Sequence, residues 1–171
     1  PSAASFYEKL REVPHPDVMA PRDKYYHIPT ETGRHGRPAA EPGVSVQLPA
    51  DLEPGRSAQV SLSISDDRPR WDGVGRVHEV MLRMRVVGAT EIDRFSFKLN
   101  GTELPSRLLR KINQMYRMNA PRFRVFGYWF VFTLDREHWP TRGANSVEVS
   151  LLLRDPDVTP PIYLRDVELE I

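Results

Sequence analysis

The chain has 171 residues, with 24 Lys and Arg against 23 Asp and Glu (net charge +1), 40% hydrophobic residues, 16 prolines and no cysteine. That length suits one domain with its own core, and the missing cysteine excludes disulfides, thiol nucleophiles and cysteine-based zinc sites. The balanced charge lacks the basic excess of a dedicated nucleic-acid binder, and no apolar run approaches the roughly 18 residues of a membrane span.

The chain starts at Pro1, with no visible signal peptide. It is expected to be a piece of a longer protein. Residues 5–12 predict a short helix, with Phe6 and Leu10 four apart, stopped by Pro14 and Pro16. Tyr25, Tyr26, His27 and Ile28 predict a short strand. Residues 30–43 hold three glycines and two prolines and read as a surface loop. The expected boundary lies there, with a lead-in over 1–43 and a β-sandwich over 44–171.

Beyond that loop the apolar residues repeat every second position. Strands are predicted over 44–48 and 59–65, the latter with Val60, Leu62 and Ile64 inward. Another is predicted over 76–87, with Val80, Leu82, Met84 and Val86 inward and Arg83 and Arg85 in water. The strand over 94–99 runs into Asn100-Gly101, a strong hairpin signal. Residues 108–118 fit a helix or a strand. A long aromatic strand follows over 123–134, then strands over 145–154 and 162–171. About eight strands with regular turn signals predict an all-β antiparallel sandwich, a jelly roll, with a closed barrel as the alternative.

Candidate binding residues stand out singly. In the aromatic strand, Phe126, Tyr128, Phe130 and Phe132 share one face and Trp129 takes the other. If that face is wet, Trp129 can stack on a sugar ring or a partner surface; if it is covered, Trp129 is core. Trp71 sits in a loop beside Asp66, Asp67 and Asp72, where it either meets a ligand or plugs the end of the sandwich. The acidic residues lack the regular spacing of a calcium loop. Trp139 follows Asp135, Glu137 and His138; the carboxylates invite an acid–base reading, or the segment is a plain connection. The five histidines (His15, His27, His35, His78 and His138) show no metal-ligand spacing, and the nucleophile-elbow, phosphate-loop and dinucleotide glycine patterns are absent. Arg107, Arg110, Lys111, Arg117, Arg122 and Arg124 form one basic stretch. It suits sugar hydroxyls, carboxylated glycans or an acidic neighbouring domain better than nucleic acid.

Three patterns read together: Phe95 to Gly101 as strand and turn, Gly127 to Phe130, and Gly143-Ala144-Asn145 leading to Leu164 through Leu169. This order resembles the galactose-binding-like jelly-roll modules of bacterial glycoside hydrolases and related carbohydrate-active proteins. The resemblance implies a non-catalytic accessory module that binds glycan weakly or braces an upstream catalytic domain of the same chain. The alternative is a purely structural module for domain packing or oligomerisation. On the binding reading, Trp71, Trp129 or Trp139 stacks on a pyranose while Arg122, Arg124 or His138 bonds its hydroxyls. No cofactor or metal is expected, and the calcium loop of many such modules is not recognisable. No compartment can be read.

Overall fold

Period-two alternation becomes sheet where one face is buried and the other wetted. The computed structural model describes residues 25–28, 47–65, 72, 73, 75, 79–113, 116, 117, 124, 125 and 127–171. Along β3 (Ser57–Ile64) the residues alternate strictly between exposed and buried. The buried members Ala58, Val60, Leu62 and Ile64 face a core shared with the second sheet.

The strands form two principal antiparallel sheets. The larger contains β1 (Tyr25–His27), β2 (Ala50–Leu52), β4 (Met81–Val87), β7 (Leu109–Asn113), β10 (Gly127–Thr133) and β12 (Ile162–Glu170). Its order is β1-β12-β4-β10-β7, with β2 also paired to β12. The smaller runs β3-β11-β5-β6, where β5 is Arg94–Leu99, β6 Thr102–Glu103 and β11 Gly143–Leu153. A third pair joins β8 (Tyr116–Arg117) to β9 (Arg124–Val125). The protein is an all-β antiparallel sandwich. Phe97 of β5 meets Phe130 of β10 with ring centroids 4.8 Å apart, so the sheets interlock through aromatic rings. Each large side chain buried here contributes about 1.5–3 kcal/mol.

Several predicted elements fall as expected. The strands over 59–65, 94–99, 145–154 and 162–171 correspond to β3, β5, β11 and β12 within one or two residues. Asn100 and Gly101 have φ of 51° and 80°, the left-handed pair that closes a two-residue hairpin between β5 and β6. Residues 109–113 are strand rather than helix, after a short 3-10 turn at Ser106–Leu108. Tyr25–His27, from the lead-in, pairs with Glu170, Leu169 and Glu168 of β12. The helix over 5–12 and the loop over 30–43 lie outside the described residues.

Three expectations need correction. Arg83 and Arg85 are not in water: Arg85 is 8% exposed, and its guanidinium lies 3.8 Å from Asp166. Arg83 is half-buried and bonded to Glu170. The carboxylates come from β12, the neighbour of β4 in the sheet, and screening by opposite charge is what lets a charged row be covered. The strand expected over 44–48 is, in its described part, only a bridge at Leu48; the strand is β2. Pro49 cannot donate to a ladder, and pairing starts at Ala50. The long strand over 123–134 is two strands with different neighbours, β9 on β8 and β10 between β4 and β7.

Candidate functional site

Where β5 and β6 of the small sheet face β7 and β10 of the large one, the layers part around a cleft of about 390 Å³. Its apolar wall is built by period two. Phe95 and Phe97 come from one strand, Phe130 and Phe132 from the other. Phe95 meets Phe130 edge-on at 5.3 Å, and Phe97 meets Phe132 at 5.2 Å. Such T-shaped pairs fix ring positions more tightly than aliphatic packing does. Phe97, Phe130 and Phe132 are buried, while Phe95 is half-exposed at the mouth.

The polar rim is small and specific. Ser106 and Lys111 line it together with Arg94 and Asp93; Ser96 and Glu103 border it too, but the register turns their side chains, with Lys98, to the outer face of the small sheet. Lys111 stands opposite Phe130 in the ladder and therefore shares its inward face. Its Nζ lies 4.1 Å from the Tyr128 ring centre and 5.8 Å from that of Phe130, a cation resting on aromatic faces. Burial pushes the Lys111 ammonium below the usual lysine range, and the charge of Arg94 adds to this. Burial also pushes the Tyr128 hydroxyl up, reinforced by Glu91 and Asp93.

One end of the cleft is anchored by a buried latch. Asp93, 1% exposed, accepts from the backbone N–H of Thr90 at 2.6 Å and of Asp155 at 2.7 Å. Arg154 donates to both its carboxylate oxygens, at 3.2 and 3.1 Å. The same guanidinium donates to the carbonyls of Val158 and Pro160. Burial pushes the Asp93 carboxyl up, but these donors outweigh it and hold it below the usual carboxylate range. Arg94 donates to the carbonyls of Glu91, Ile92 and Asp93 and so stiffens the same turn.

Trp129, Trp139 and His138, singled out in the sequence, lie elsewhere. Trp129 is 5% exposed, on the sheet face opposite Phe130; stacking on a sugar would require its cover to move away. Trp139 is half-buried against the core and donates from Nε1 to the Leu134 carbonyl at 3.1 Å. His138 turns its Nδ1 to Asp135, which also accepts from Arg107 at 2.6 Å. The His138 hydrogen bond, then that of Arg107, lowers the Asp135 carboxyl. Asp135, Glu137 and His138 place one potential ligand atom each within 4.8 Å of one another, yet Asp135 is already engaged by His138 and Arg107. Arg124 contributes backbone to β9. Trp71, Arg122, Phe126, His78, Asp66 and Asp67 lie outside the described residues. Sequence reasoning missed Phe95 as a site residue and counted Lys111 only as part of a basic stretch. The signal was there in the period-two row Leu109, Lys111, Asn113, which puts a lysine on an inward face.

No described helix is long and apolar enough to cross a membrane. Compared with known proteins, the sequence matches no family model and no curated protein.

Proposed function

We propose that this chain is a non-catalytic accessory module of a carbohydrate-active protein, of the galactose-binding-like sandwich class, and that it holds a glycan in the cleft between β5 and β10. The observation that carries the reading is the cleft itself: a wall of Phe95, Phe97, Phe130 and Phe132 with the Lys111 ammonium beside it. Concave sites of a few hundred Å³ with apolar walls and few polar groups are where small ligands settle. A pyranose presents an apolar C–H face and a rim of hydroxyls, which matches that division. Binding rather than turnover is supported by Asp93, whose carboxylate is saturated by Thr90, Asp155 and Arg154 and has no lone pair aimed at a reacting bond.

The test is retention of the 171-residue chain on a panel of immobilised polysaccharides. Phe95→Ala is expected to abolish retention; it also loses its ring contacts with Phe97 and Phe130, so retention is read well below the variant's own unfolding midpoint. Retention that survives Phe95→Ala but is lost in Trp139→Ala would move the site to the His138 end of the sandwich.

A structural module remains the second reading, and one observation favours it. Ile92, Leu152 and Leu153 are 50%, 64% and 53% exposed, and exposed apolar side chains suit a surface covered by a neighbouring domain. A folded chain that binds no polysaccharide would favour this reading.

A further inference from the structure

We infer that the cleft selects acidic sugars, those carrying a uronate carboxylate, and that Lys111 is the selecting residue. This rests on the proposed glycan cleft and adds the chemistry of its ligand.

Among the described residues Lys111 is a cleft cation with no carboxylate at ion-pair distance, although Glu91 and Asp93 act on it from further away. Arg94 lines the same space, but its guanidinium is spent on three backbone carbonyls of its own turn. Among the described residues Arg107 pairs with Asp135, Arg154 with Asp93, Arg83 with Glu170, and Lys98 with Glu148. Lys111 has no hydrogen bond or ion pair of this kind. Its Nζ contacts are the Tyr128 and Phe130 rings. A cation drawn partly out of water and left on aromatic faces keeps unmet donor capacity, because an ammonium has three N–H groups. An incoming carboxylate meets that capacity and supplies the missing charge.

The neighbours fix the rest of the ligand. Phe95, partly buried, offers an apolar surface, and Ser106 lines the cleft beside it. A pyranose stacked at Phe95 with its carboxylate on Lys111 satisfies all of these at once. A neutral sugar leaves the ammonium as it stands in the free protein. A fully apolar ligand leaves the N–H groups of the ammonium unanswered.

The experiment titrates the full chain with trigalacturonic acid and with its methyl ester, in which each carboxylate is replaced by a neutral methyl ester, and separates charge from bulk by the salt dependence. Wild type, Lys111→Met and Lys111→Arg are compared by calorimetry at two salt concentrations. Wild type is expected to bind the acid about tenfold more tightly than the ester, as one charge-assisted hydrogen bond implies. Lys111→Met is expected to lose that preference, and Lys111→Arg to retain it. The acid preference is expected to shrink in high salt. Equal affinity of wild type for both probes overturns the inference and leaves the glycan cleft standing, as does a preference that survives Lys111→Met. Binding of neither probe, nor of any polysaccharide on the panel, overturns the cleft reading and this inference with it. Lys111 is exposed on an edge strand, so unfolding curves of the variants are expected to overlay the parent.

Discussion

The side-chain amide of Asn100 donates to the amide oxygen of Asn145 at 2.9 Å. The two residues belong to different turns, 45 positions apart, and the bond ties the β5–β6 hairpin to the start of β11. Asn145 has no exposed surface. Its oxygen also accepts from the Thr141 N–H, and its Nδ2 donates to the carbonyls of Thr141 and Gly143. Asn100 in turn accepts from the Ser146 N–H. Replacing Asn145 by Leu strands several buried groups at once. The expected loss is about 3 kcal/mol or more of stability, read from urea unfolding at neutral pH; a loss near zero would mean that water takes over the network.

The Asp93–Arg154 latch sets an acid limit. The native Asp93 carboxyl is held below its ordinary value, so its contribution is complete above the unfolded value and is lost as pH falls through the native one. Stability is therefore expected to decline below about pH 4. In Asp93→Asn that part of the decline should be missing, against a lower plateau at neutral pH. Arg154→Met leaves the buried carboxylate without its cation and is expected to cost about 3 kcal/mol. Urea midpoints across a pH series measure both.

Gly127 opens β10 where the chain passes β4. A Cβ placed there would lie 2.3 Å from the Val86 carbonyl oxygen and 3.0 Å from the Val87 Cα, both backbone atoms. Neither can yield without parting the strands. Gly127→Ala is expected to lower the thermal midpoint by several degrees, with a cost of about 1–3 kcal/mol. An unchanged melting curve would show that the β10 start can slide.

Trp129 gives a control for every binding assay. Its ring is 5% exposed, so Trp129→Ala is expected to cost about 3–5 kcal/mol, visible as a lowered calorimetric midpoint. Any fall in glycan retention in that variant tracks the unfolded fraction. Trp129→Phe, which keeps most of the apolar volume, should restore both together.

Much of the fold was legible because its signal is local. Each turn of β3 declares its own wet and dry faces, and Asn100-Gly101 closes a hairpin through its own backbone preference. What could not be read depends on partners far away in the chain. Arg85 looks like a solvent residue until Asp166 is brought beside it, and the run from 123 to 134 looks like one strand until its two parts find different neighbours. The cleft is of this second kind. Phe95, Lys111 and Phe130 converge only through the facing of two sheets, and Trp129 and Trp139, which draw the eye in the sequence, lie away from it.

The free edge of the small sheet carries one further device. The side-chain amide of Gln47 donates to the Ser61 carbonyl at 3.0 Å and accepts from the Ser61 N–H at 2.6 Å. That is the two-point pairing a neighbouring strand would make, supplied by a side chain that cannot be extended. A second molecule trying to add itself to β3 would first have to strip this pairing away. Edge-to-edge addition of a second copy along β3 is therefore opposed at Ser61.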